Sequence, residues 1–159
     1  MAEDRLSAPK AQEEHKRLAA FAGEWTGEET VFPSRWNAGG PATSRVSARI
    51  DLNGFYLIQN TVQMRDGKES FSTHGVFTWD REDRLYKLFW FDSLGYYPPS
   101  PASGGWAAKS LILVRGSLRG NARRVYEVID DNSYSMKIQF SPDAEGWADV
   151  LTGVYRRAH

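Results

Sequence analysis

The chain contains no cysteine, which removes disulfides, thiolate nucleophiles, iron–sulfur clusters and Cys-ligated zinc together. It has no charge of one sign to spare: twenty Lys and Arg balance twenty Asp and Glu, so the electrostatic footprint of a nucleic-acid binder is missing. Its three histidines are scattered and no compact carboxylate cluster accompanies them, which leaves nothing from which to assemble a metal site. No apolar run approaches the length of a membrane span, and the first ten residues lack the apolar core of a signal peptide. Glycine-rich phosphate loops, His-Glu-x-x-His and Gly-x-Ser-x-Gly are all absent. A soluble, cytoplasmic protein is expected, without a cofactor and with neither nucleic acid nor membrane as partner.

Aromatic side chains are what the chain has in plenty: 13% of its 159 residues, six of them Trp. A chain of this length makes one domain with a single core, and so many rings either fill a barrel or line a pocket. Residues 1–8 read as a flexible N-terminal segment and 9–159 as the folded domain. Residues 9–21 read as an amphipathic helix, with Ser7 or Asp4 as cap, Pro9 in its first turn, Leu18 and Phe21 near its end and Gly23 as its stop.

From there the hydrophobic period switches to two. Trp25, Gly27, Glu29 and Val31 share one face of a first strand. Val46, Ala48, Ile50 and Leu52 alternate along a second, and Asn53-Gly54 supplies a hairpin turn. The third strand sets Tyr56, Ile58, Val62 and Met64 against Gln59, Thr61 and Gln63, and Asp66-Gly67 turns the chain again. Phe71, Gly75, Phe77 and Trp79 share a face of the fourth, and Tyr86, Leu88, Trp90 and Asp92 a face of the fifth. Residues 96–101 are too rich in proline for a central strand and read as a rim loop. Strands resume around Trp106 and at 110–118, 123–129, 134–140 and 147–156, joined by short turns. About ten strands in an up-and-down meander would close into an antiparallel β-barrel to eliminate exposed edges.

Several segments carry a resemblance: Leu18, Gly23, Trp25 and Gly27; Leu52-Asn53-Gly54-Phe55-Tyr56-Leu57, where Asn53 replaces a glycine; residues 75–80 followed by Tyr86, Trp90 and Asp92, with Thr78-Trp79 departing from a Gly-Tyr; and the closing Val154-Tyr155-Arg156-Arg157. In this order they resemble the small bacterial domains of unknown function numbered 1579 (DUF1579), grouped with the calycin-like lipocalins, fatty-acid-binding proteins and nitrobindins. The resemblance runs from His15 to Arg157. It implies an all-β, calycin-like barrel behind one short helix, and little chemistry. It also implies that Trp25 packs at the barrel base under Arg156 or Arg157 through a cation–π contact. A haem reading finds no support, because nitrobindin-like barrels take their histidine from a late strand and the late strands here hold none.

The candidate ligand-binding residues are Trp90, Asp92, Tyr96, Tyr56, Met136, Glu29 and His74. Asp92 ends an inward face near the open rim, with Trp90 as an apolar wall and Tyr96 as a polar-tipped lid; its plainer reading is the start of an Asx turn. Glu29 shares the face of Trp25, as a buried carboxylate unless a bulge turns it out. His74 is the one histidine in a predicted strand, a residue type that can serve as general base, although alternation places it outside. One of Gln59 and Asn60 must point inward. Tyr134, Met136, Ile138 and Phe140 form an apolar stripe, while Arg115, Arg123, Arg124 and Glu127 read as cross-strand pairs on a solvated face.

These features favour a barrel that binds a small apolar or aromatic ligand. The alternatives are a cofactor-independent isomerase or cyclase using a cavity carboxylate, and a filled-barrel structural or interaction protein, for which a homodimer would be the sign.

Overall fold

The alternating segments form ten antiparallel strands in the computed structural model, which describes residues 7–35, 37–96, 98 and 100–158. They are β1 (Gly23–Val31), β2 (Gly40–Asp51), β3 (Tyr56–Arg65), β4 (Lys68–Asp80), β5 (Leu85–Asp92), β6 (Ala102–Ala107), β7 (Ser110–Ser117), β8 (Gly120–Asp130), β9 (Ser133–Ser141) and β10 (Ala148–Arg157). Each pairs with its neighbours in sequence, and β1 pairs with β10 to close the barrel. The fold is the all-β, up-and-down antiparallel barrel that the alternation predicts, and it is the kind of barrel that the resemblance implies. Among the described residues no helix is long and apolar enough to cross a membrane.

The helix is shorter than the predicted 9–21. It begins after Gln12, whose backbone N–H donates to Nδ1 of His15 at 2.9 Å, so α1 is only Glu13–Arg17 and a 3-10 turn, Leu18–Phe21, follows. Gln12 is the cap rather than Ser7, and Asp4 lies outside the described residues. The 3-10 turn drops Leu18 and Phe21 into one end of the barrel, where both are buried. Trp25 donates its indole N–H to the Phe21 carbonyl at 3.1 Å, and the Arg157 guanidinium lies 4.3 Å from the Trp25 ring. This is the basic residue over Trp25 that the resemblance implied, with Arg157 chosen over the exposed Arg156.

One face assignment is reversed. β3 turns Leu57, Gln59, Thr61 and Gln63 inward, while Val62 stands exposed outside. The tight turn after β2, in which Gly54 donates to Asp51 and Phe55 to Leu52, sets Gln59 opposite Ala48 and Thr61 opposite Val46. Residues directly opposite share a face, so a turn that fixes register decides the face whatever the polarity. Of the adjacent pair, Gln59 is buried and Asn60 exposed.

Closure depends on two glycines. The Tyr155 ring lies across the barrel wall between Gly27 of β1 and Gly153 of β10, and a Cβ on Gly27 would fall 2.5 Å from its Cδ1 and Cε1. Substituting Gly27→Ala forces the ring off its seat and should cost about 1–3 kcal/mol by the usual penalty for overpacking, read as a lower midpoint in urea with an unchanged slope.

His15 is buried edge-on to Phe55 at 5.2 Å, and burial, then the Arg81 charge, holds its pKa below the ordinary 6.5. The unfolded chain therefore takes up the proton first, so this part of the stability is complete above about pH 6.5 and is lost as pH falls through the lowered folded value. Melting temperature should drop between pH 7.5 and 5, and His15→Gln should flatten that drop. The turn carboxylates Asp51, Asp130 and Asp143, each held low by backbone N–H groups, lose their contribution in a separate window below about pH 4.

Candidate functional site

Alternation around the closed barrel divides its interior into two halves. The helix end is packed with rings: Phe21 stacks on Trp106 at 5.8 Å, Trp25 meets Tyr134 edge-on at 4.8 Å, and Tyr134 stacks on Tyr155 at 4.9 Å. Arg17 covers Trp106 at 4.1 Å and donates to the Ala108 carbonyl. This half is solid core. The Tyr155 hydroxyl reaches past it into the other half, where polar side chains begin.

There Glu29 is buried, as its alternation with Trp25 predicts. Its Oε2 accepts from the Tyr155 hydroxyl and its Oε1 from the Gln63 amide at 3.0 Å. Gln63 is oriented in turn by Ser70, whose hydroxyl donates to its Oε1 at 3.1 Å from the irregularity in the β3–β4 register after Gln63. Burial, and then the Glu29 charge, pushes the Tyr155 phenol well above its ordinary value, so it remains a donor at every physiological pH. Burial also raises Tyr134 and lifts Tyr126 to about 12, the latter against the opposing charge of Arg124.

Beside this network lies a cavity of about 30 Å³, whose wall includes Glu29, Gln59, Thr61, Thr73, Trp90, Tyr126, Met136 and Ile138. Such a space holds on the order of one or two waters. Three of the predicted site residues, Glu29, Trp90 and Met136, are therefore brought together. Asp92 stands behind Trp90 at the mouth, accepting from its indole N–H at 3.0 Å, and also accepts from the Leu94 backbone at 2.9 Å. The pocket wall and the Asx turn are thus served by the same carboxylate. Tyr96 lies in the loop after β5, exposed, with Arg119 at 4.8 Å from its ring; Tyr97 and Pro99 of that loop fall outside the described residues. Tyr56 lines a groove on the outer wall with Phe55, Thr78 and Phe89. His74 is exposed, 2.6 Å from the Asn60 amide oxygen.

The arginines of β7 and β8 correct the solvated-face reading. Arg124 pairs with Leu113, which is fully buried, and Arg115 follows Leu113 by two residues; both therefore face the interior. Arg124 stacks on Trp90 at 4.2 Å, and the Nε atoms of both are buried without a hydrogen-bond partner among the described residues. Burial lowers the Arg124 pKa, with Tyr126 and Asp92 opposing and Arg115 adding to the shift. Arg123 and Glu127 do lie outside: Arg123 covers Trp147 at 4.2 Å and donates to Gln139, while Glu127 accepts from Ser110. The alternation of Arg124 with Tyr126 and Val128 carried this signal in the sequence.

Removing one donor from Glu29 tests the network. Tyr155→Phe should destabilise the barrel by about 1–3 kcal/mol, the cost of stripping a buried charged acceptor of a partner, measured by urea unfolding.

No curated protein matches the chain in sequence. Among solved structures the barrel is similar to Rv2717c from M. tuberculosis, with a TM-score of 0.70 at 15% identity, over 95% of this chain and 100% of that one. It is also similar to the S-type phycobiliprotein lyase CPES from Guillardia theta, with a TM-score of 0.61 at 9% identity, over 95% and 99% of the two chains. At such identities the likeness is one of fold. The family model for DUF1579 matches residues 10–157, the whole barrel with the helix before it, and the chain belongs to that family, described as protein of unknown function.

Proposed function

We propose that this protein is a soluble, cytoplasmic binding barrel that takes a small apolar or aromatic ligand into its open half, against Trp90, Tyr126, Met136 and Ile138. The observation that carries this reading is the set of buried polar atoms in this half with no partner among the described residues: Ser44 Oγ, Thr73 Oγ1, Tyr126 Oη, and Nε of Arg115 and Arg124; in the packed half Trp106 Nε1 alone shares that condition among the described residues. Each such group costs about 1–3 kcal/mol. A barrel filled for stability alone would place apolar side chains at these positions; a binding barrel keeps them to meet a ligand.

The cavity of about 30 Å³ falls well short of the roughly 300 Å³ at which ligand pockets begin, so a ring-sized ligand enters by displacing Trp90. That side chain is half-buried and held by one hydrogen bond to Asp92 and one stacked guanidinium. Together these are worth about 1–3.5 kcal/mol. Burying about 100 Å² of apolar ligand surface contributes about 2.5 kcal/mol, which is of the same size. In this reading Asp92 holds the gate, Tyr96 stands at the entrance and Glu29 supplies the polar contact inside. The enzyme alternative would draw on the same Glu29, whose two oxygens are already engaged by Gln63 and Tyr155.

Titration with indole, followed by NMR, should move the signals of Trp90, Tyr126 and Met136. Thr61→Phe, which fills the cavity, should abolish those shifts while the amide spectrum of the barrel persists. Shifts confined to the outer wall, or unchanged in Thr61→Phe, would overturn the reading.

A further inference from the structure

The least explained feature of the interior is a pair of like charges. Arg124 stands opposite Leu113, and Arg115 opposite Ala122, which makes the two arginines diagonal neighbours on one face of adjacent strands. At that spacing, about 7–8 Å between backbones, two long side chains can converge on one group. A guanidinium stays charged at any accessible pH, so placing two together in a partly dry barrel mouth is unfavourable unless an anion lies between them. The nearby acids meet this only in part: the Asp92 charge acts on Arg124, but its oxygens accept from Trp90 and the Leu94 backbone, and those of Glu29 from Gln63 and Tyr155. Among the described residues neither arginine makes a hydrogen bond or an ion pair, and both Nε atoms are buried without a partner. The Tyr126 hydroxyl, on the same face as Arg124 and likewise unpartnered, adds a third donor.

We infer that Arg115 and Arg124, with Tyr126, form an oxyanion site that holds the head group of a short apolar carboxylate, its tail turned toward Trp90 and the cavity. This rests on the binding-barrel reading above and names the class of ligand. The guanidinium fork suits a planar, two-oxygen acceptor. The apolar side chains that line the cavity shared with Tyr126, Phe71, Trp90, Ile138 and Leu151, suit a singly charged head on an apolar tail better than a hydrated dianion.

The test compares three probes of equal chain length, hexanoate, hexyl phosphate and 1-hexanol, by calorimetry and by NMR of the Trp90 and arginine side-chain N–H signals. Hexanoate should bind at least about tenfold more tightly than hexanol, a difference of about 1.4 kcal/mol. Arg124→Leu and Arg115→Leu should each remove that preference. Arg124→Lys, which keeps the charge and loses the fork, should weaken hexanoate while retaining the fold, and Arg45→Leu on the outer wall should change nothing. Tighter binding of hexyl phosphate than of hexanoate would overturn the carboxylate assignment. Equal binding of hexanol and hexanoate would overturn the oxyanion site and leave the binding barrel standing. Failure of all three to bind, alongside failure of indole, would overturn both.

Discussion

Everything in this molecule depends on the pairing of β1 with β10. Trp25 faces Arg157, Gly27 faces Tyr155 and Glu29 faces Gly153 across that seam, so the join that eliminates the sheet edges also assembles the floor, the packed middle and the polar interior. In an open sheet a Glu between two apolar positions could bulge outward into water. In a closed barrel every second residue of every strand must point in, and the chain has to supply partners for whatever arrives there. Tyr155 is that partner for Glu29, and the two glycines exist on adjacent strands because its ring has to lie flat between them to reach.

The interior is accordingly graded along the barrel axis. At the helix end rings touch rings and the helix itself acts as a plug, which is the cheapest way to fill a wide barrel with a short chain. Toward the other end the rings give way to Glu29, Gln59, Thr61, Gln63 and Thr73 on β1, β3 and β4, facing Tyr126, Met136 and Ile138 on β8 and β9. Although the residues of one wall are polar, the atoms turned to the space are nearly all apolar, because the polar ends of Glu29, Gln63 and Tyr155 are bonded to one another.

The sequence made the architecture legible because hydrophobic alternation and turn residues are local signals, and a meander joins strands that are neighbours in sequence. Trp25, Gly27 and Glu29 were read correctly for that reason, and so was the face of Trp90 and Asp92. The β3 face failed because its inward residues after Leu57 are polar: Gln59, Thr61 and Gln63 defeat a rule that assigns the apolar side to the core, and only the register from the Asn53-Gly54 turn overrides it. Arg115 and Arg124 were misread for the same reason, charge being taken for exposure. Their neighbours Leu113 and Tyr126 point the right way by simple alternation, so parity was the better guide. The short helix failed at its start, where a side-chain acceptor on His15, rather than Ser7 or Pro9, decides the first turn.

Arginine stacked on tryptophan occurs at both ends of the barrel, and the comparison separates packing from binding. At the helix end Arg157 covers Trp25 and also donates to the carbonyls of Ala22 and Asp131, each at 2.7 Å. Arg17 covers Trp106 and donates to Ala108 at 3.1 Å. Both guanidinium groups have found acceptors in the backbone, Arg157 half-buried and Arg17 exposed. Arg124 covers Trp90 in the same way at 4.2 Å but has no acceptor among the described residues, and it sits beside a second arginine in the same condition. The arginine of the stack thus has a backbone acceptor at the helix end and no acceptor among the described residues at the mouth. Since the guanidinium lies 4.1–4.3 Å from the ring in these stacks and in that of Arg123 on Trp147, the missing acceptor at the mouth is a property of that site and not of how arginine packs on tryptophan in this fold.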